Sequence, residues 1–230
     1  MSVFFYGCIT LDGYLADKNH GLSWLYETGA AEDTGYEDFY RQMDVTIMGR
    51  RTFDEIAKLE NPATVYPTTE NYVFTHTDRL PHKGFVPVQG NVADFVTGLG
   101  LDKNIWIVGG NTILAPLLER DMVDHLIVQI APVLLGEGIP LFTQKEGLRR
   151  FRLDGVKRYG QFAELVFCKN GRSPCVNCQA QPNTFFKKIF EMVESSVFQG
   201  QNGGAEGFGH TELDQRAKAC WSGCVYGQFC

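Results

Sequence analysis

Short apolar blocks alternate with polar ones along the first 170 residues. Ser2–Thr10 is rich in β-branched and aromatic residues and stops at Asp12-Gly13, which predicts a central first strand, continued after a bend over Tyr14–Ala16. A polar stretch from Asp17 to Gly21 leads to Leu22-Ser23-Trp24-Leu25. Tyr36, Phe39, Tyr40 and Met43 then recur at helical spacing, with Asp33 or Thr34 placed to cap the helix. Residues 45–48 predict a short buried strand that ends at Gly49, and residues 52–58 a helix directly behind it.

The same unit then repeats. Strands are predicted over 72–75 and Phe85–Val88, a helix over 92–99, and a third apolar strand over 105–108 that ends at Gly109-Gly110. Asn111 is placed to cap the next helix, whose apolar positions Ile113, Leu114, Leu117 and Leu118 share one face, and a strand follows over 123–132. Beyond Pro132 the turn signal Leu134-Leu135-Gly-Glu-Gly changes the mode. Two long strand-like runs, 151–158 and 161–168, then predict an antiparallel hairpin through Tyr159-Gly160 at one sheet edge. Strands alternating with helices imply an α/β domain with a mainly parallel sheet flanked by helices.

Composition divides the chain at Gly171. Residues 1–170 carry 16 Lys and Arg against 22 Asp and Glu, with two cysteines, so the whole net charge of −6 lies there. Residues 171–230 carry five of each charge and five cysteines. The first part is long enough to bury a full core; the last 60 residues are marginal unless docked or stapled. Acidic balance and the lack of clustered Lys and Arg argue against a nucleic-acid partner. The absence of a signal-like start or a membrane-length apolar window leads us to expect a cytosolic protein with no membrane partner.

Two strand-to-glycine-to-helix junctions, Met48-Gly49-Arg50-Arg51-Thr52 and Val108-Gly109-Gly110-Asn111-Thr112, suggest anion binding. Helix starts expose unpaired N–H groups, and glycine allows close approach to the backbone. A third strand end, Thr75-His76-Thr77-Asp78-Arg79, adds polar and basic groups.

These segments carry a resemblance. Asp44-Val-Thr-Ile-Met-Gly-Arg-Arg-Thr-Phe with Ile105-Trp-Ile-Val-Gly-Gly-Asn resembles the dihydrofolate reductase superfamily. Ile9-Thr-Leu-Asp-Gly-Tyr-Leu-Ala, a Trp after a polar loop, and Val123-Asp124 followed by Pro132-Val-Leu-Leu-Gly-Glu-Gly-Ile-Pro-Leu-Phe142 are similar to its riboflavin-biosynthesis reductase branch, in order from about residue 2 to 168. The resemblance implies a dihydrofolate-reductase-like fold, NADPH as cofactor and a homodimer. Gly49, Arg50, Arg51 and Thr52 would hold the cofactor phosphates from one side, Gly109, Gly110, Asn111 and Thr112 from the other. Thr75, His76 and Thr77 would lie near the adenosine ribose, where a 2′-phosphate would meet Arg50, His76 or Arg79. His76 reads equally as an ordinary surface histidine.

The substrate pocket is expected at Thr10 to Tyr14, Trp24 and Phe39, with Asp12 and Trp24 as catalytic candidates and Thr10, Tyr14 and Phe39 as substrate-binding ones. Asp12 also reads as turn chemistry, and Trp24 as a core aromatic. The acids Glu32, Asp33, Glu37 and Asp38 do not fall in register with the carboxylate that true dihydrofolate reductases carry. The expected activity is therefore NADPH-dependent reduction of a small planar heterocycle. Alternatives are the riboflavin-pathway reduction of 5-amino-6-ribosylaminouracil phosphate and a non-catalytic nucleotide-binding or zinc-linked interaction protein. Only Lys18 and His20 offset the acids between Ala16 and Tyr40, which predicts a negative pocket that disfavours a phosphorylated substrate.

In the tail, Cys175, Cys178, Cys220 and Cys224 form two close pairs compatible with structural zinc. Phe185, Phe186, Ile189, Phe190, Val193 and Val197 outline an amphipathic helix. A zinc site, an interaction helix and a segment without a selected fold all fit. Cofactor binding is expected to be independent of this tail.

Overall fold

The computed structural model describes residues 1–29, 34–143 and 147–171. The chain divides into two compact units, Met1–Ala180 and Gln181–Cys230, and the described residues all belong to the first. The four candidate zinc cysteines, the amphipathic tail helix, and Glu32 and Asp33 lie outside them.

An eight-stranded sheet organises the domain. Its strands are β1 (Ser2–Thr10), β3 (Val45–Gly49), β4 (Glu70–Phe74), β5 (Phe85–Val88), β6 (Asn104–Gly109), β7 (His125–Ala131), β9 (Phe151–Tyr159) and β10 (Phe162–Lys169), in the order β5-β4-β3-β6-β1-β7-β10-β9. From β5 to β7 every neighbouring pair is parallel, and β10 and β9 are antiparallel additions at one edge. The predicted hairpin is there, turning at Gly160 with φ +55°, a conformation that glycine adopts without the Cβ clash. A separate ladder pairs β2 (Tyr14–Ala16) with β8 (Ile139–Pro140).

Period-two alternation sends apolar residues to both faces of the central strands, as a sheet covered on both sides requires. On one face Val3, Phe5, Val45, Ile47, Ile105 and Ile107 pack with α4 (Val92–Gly98) and α5 (Asn111–Glu119), whose Leu114 and Leu117 are fully buried. On the other, Tyr6, Met48, Val73 and Trp106 pack with α2 (Tyr36–Tyr40) and α3 (Arg50–Ile56) through Phe39, Tyr40 and Phe53. The predicted helical spacing of Tyr36, Phe39 and Tyr40 therefore marks a real buried stripe.

Two local expectations are corrected, and one element is added. The cap residue of α5 is Gly110, and Asn111 is the first helical residue, its side chain donating to the Pro140 carbonyl at 3.0 Å. The cap residue of α2 is Gly35, while the Thr34 hydroxyl accepts the Tyr36 N–H at 3.3 Å. Ser23–Thr28 forms a short helix, α1, without a side-chain cap. The packing of Trp24 against Ala131 and Phe162 accounts for that helix, which no capping signal announced. Among the described residues no helix is long and apolar enough to cross a membrane.

Candidate functional site

The two glycine junctions are brought side by side because β3 and β6 are hydrogen-bonded neighbours, with Met48 opposite Gly109. β3 ends at Gly49 where α3 begins, and β6 ends at Gly109 where Gly110 opens α5. A Cβ at Gly109 would lie 3.9 Å from the Thr52 hydroxyl, and one at Gly49 would lie 3.9 Å from the Thr112 hydroxyl. Each glycine thus faces the threonine of the other junction. Gly109 has φ +141°, which L side chains rarely adopt, and its bond to Gly110 is cis. A Cβ at Gly110 would meet nothing within 4 Å, so there is open space beside the first turn of α5.

Arg50 connects this cradle to the end of β4. Its Nε donates to Asp54 Oδ1 at 2.7 Å and its Nη1 to the Thr77 hydroxyl at 3.1 Å, while the Thr77 N–H donates to the Thr75 hydroxyl at 3.3 Å. The Arg50 side chain keeps 39% of its surface exposed, enough to meet an anion from solvent. Arg51, His76 and Arg79 are exposed nearby in sequence. Open backbone at Gly110, two threonine hydroxyls and one anchored guanidinium are a donor set suited to a diphosphate.

Thr10, Asp12 and Tyr14 form a different structure. The Thr10 hydroxyl donates to Asp12 Oδ1 at 2.6 Å and accepts the Tyr14 N–H at 3.0 Å. Asp12 Oδ2 accepts the N–H groups of Leu135 at 3.0 Å and Gly136 at 2.7 Å. The Thr10 hydroxyl, then the Gly136 and Leu135 N–H groups, hold the Asp12 carboxyl below its ordinary value. Asp12 thus pins the 134–136 turn by accepting from Thr10, Leu135 and Gly136. Trp24 is buried with Ala131 and Phe162, and its Nε1 has no hydrogen-bond partner among the described residues.

Phe39 does border a cavity. A cleft of about 580 Å³ opens on the α2 face of β1, β7, β10 and β9, lined by Phe4, Tyr6, Phe39, Tyr159, Glu164 and Val166, with Asp38, Arg41 and Lys157 also bordering it. Tyr6 and Phe39 stack at 4.6 Å, and Phe39 meets the edge of Trp106 at 5.4 Å. Glu164 is 3% exposed, and its Oε2 accepts from Gln129 Nε2 at 3.1 Å; the same nitrogen donates to the Tyr6 hydroxyl at 2.9 Å. Burial raises the Glu164 carboxyl above its ordinary value, opposed by the Gln129 hydrogen bond and the Lys157 charge.

Sequence reasoning missed Tyr6, Gln129, Glu164, Arg41 and Lys157. One signal was legible: Phe162, Glu164, Val166 and Cys168 occupy the inward positions of one strand, and an acid at such a position is unusual. The negative pocket expected from residues 16–40 is amended, because Arg41 and Lys157 also border the cleft. The cleft is bordered by two cations and two carboxyl groups.

Comparison with known proteins gives four relevant likenesses. The family profile described as the RibD C-terminal domain matches residues 2–163. The uncharacterized protein YwjB of Bacillus subtilis (strain 168) is 33% identical over 167 residues, which cover 71% of this chain and 95% of that one. Among solved structures, a protein from Shewanella sp. PV-4 named for riboflavin biosynthesis is 24% identical with a TM-score of 0.66, covering 74% of this chain and 99% of that one. Dihydrofolate reductase from Enterococcus faecalis, solved with NADP(H), shares the fold at 11% identity and a TM-score of 0.51, over 74% of this chain and 96% of that one.

Proposed function

Because the chain belongs to the RibD C-terminal domain family, we propose that it is an NADPH-dependent reductase acting on a small planar heterocycle. The observation that carries this reading is the pair of glycine junctions facing each other's threonines, with Arg50 tied to the neighbouring strand end. Gly49, Thr52, Gly110 and Thr112 would hold the diphosphate of the cofactor, Asn111 would keep α5 fixed to β8, and Arg50 with Thr75 and Thr77 would meet the adenosine side. When bound, the reduced nicotinamide supplies a hydride.

The residues of the chain do the remaining work. Phe4, Tyr6 and Phe39 line the cleft and would give a flat ring an aromatic wall to pack against. Asp12 ties the 134–136 turn to the segment that leads into β2. Arg41 and Lys157 favour a second reading in which the heterocycle carries a phosphate, as in riboflavin-pathway reduction.

Fluorescence titration with NADPH, followed by a screen of pterins, flavin precursors and quinone-like heterocycles for loss of the reduced-nicotinamide absorbance, tests the proposal. Binding with turnover supports it; binding without any turnover favours a nucleotide-binding module; no binding refutes it. A homodimer belongs to the same reading and is checked by light scattering at twice the chain mass.

A further inference from the structure

Hydride addition to a C=N or C=O bond leaves an electron pair on the heteroatom, and that pair must be protonated. Building on the proposed reductase activity, we infer that the Glu164 carboxyl in the cleft supplies this proton to the bound heterocycle. In the step, the hydride forms the new C–H bond and the π pair moves to the nitrogen or oxygen. The Glu164 O–H bond breaks as the new N–H or O–H bond forms. The reduced nicotinamide is oxidised, the substrate is reduced, and the Glu164 carboxylate takes its next proton from solvent.

Placement is the first argument. Glu164 sits on the inward face of β10, in register with Gln129 of β7 and Lys157 of β9, and it lines the same cleft as Tyr6 and Phe39. Its hydrogen bonding is the second. Gln129 engages Oε2, and among the described residues the Glu164 carboxyl makes no other hydrogen bond, so Oε1 is the atom available to a ligand. Among the described residues no cation forms an ion pair with the carboxyl. Removal of the carboxyl from water favours its protonated form and outweighs the opposing Gln129 hydrogen bond and Lys157 charge, which gives the upward direction of its pKa.

The neighbouring groups are poorer acids for this task. On β1, burial raises the Tyr6 hydroxyl well above its ordinary range and pushes the Cys8 thiol up to about 12. Beside α2, Asp38 is exposed and paired with Arg41 at 3.0 Å. On β9, Lys157 is an exposed ammonium and Tyr159 a phenol, while β7 contributes the non-titrating amide of Gln129. Glu164 alone among them joins a carboxyl to a buried place in the cleft.

The test uses the full-length chain labelled with carbon-13, titrated by carboxyl-carbon NMR, with Glu164→Gln to assign the resonance and NADPH binding measured on both proteins. Glu164 is expected to titrate above the ordinary glutamate range. Glu164→Gln should bind NADPH within twofold of wild type and lose at least about 100-fold in kcat/KM on any heterocycle that turns over, with Glu164→Asp retaining part of the rate. Titration of Glu164 in the ordinary range, or wild-type turnover by Glu164→Gln across pH, overturns the assignment while leaving the reductase reading intact. Failure of wild type to bind NADPH removes the reductase reading itself, and the assignment with it.

Discussion

Replacing Gly110 with aspartate should move stability and cofactor affinity in opposite directions. Gly110 is the cap residue of α5, with φ −85° and ψ −162°, extended backbone open to any residue, and a Cβ there meets nothing within 4 Å. Aspartate is a better cap than glycine by a few tenths of about 1 kcal/mol, since its carboxylate accepts the N–H groups of the first turn. Those are the donors assigned to the diphosphate. A new carboxylate about 5 Å from a phosphate charge, at an effective dielectric near 20, costs about 3 kcal/mol. Screening on the open side of the cradle reduces that, leaving a loss of about 10- to 100-fold in affinity. Thermal melts should therefore show a midpoint equal to or slightly above wild type, while fluorescence titration shows the loss. Unchanged NADPH affinity in a folded Gly110→Asp protein would refute the placement of the phosphates.

Arg50→Ala removes the guanidinium that reaches Thr77, and it should weaken NADPH by about tenfold while affecting NADH less, as measured by parallel titrations. Leu114→Ala empties a fully buried position between α5 and the sheet, and urea unfolding should report a loss of about 2–5 kcal/mol. Asp12→Asn should lower the thermal midpoint at neutral pH. The folded pKa of Asp12 is depressed below 3.8, so its contribution is complete above that value and is lost as pH falls through the folded pKa; the two melting curves should converge there.

Much of the fold is legible because its strands are short apolar blocks punctuated by glycine. The two glycine junctions are visible for the same reason, and Gly109, at φ +141°, is the position where the backbone itself calls for glycine. Exact caps are less so: Asn111 has the chemistry of a cap, but the extended conformation that opens α5 falls one residue earlier, at Gly110. The cleft is the least legible part. Tyr6, Gln129 and Glu164 come from three strands far apart in sequence, and only the order β1-β7-β10 makes them neighbours. Trp24 and Asp12 show the converse. Both stand in motif-like segments, yet one fills a small core cluster and the other ties down a turn.

The central claim, that the facing glycine junctions hold a reduced dinucleotide, is tested most directly by titrating the wild-type chain with NADPH and following its fluorescence. Saturable one-to-one binding, weakened by Gly110→Asp and by Arg50→Ala, is the predicted result. A flat titration, or saturation that neither substitution alters, would contradict it.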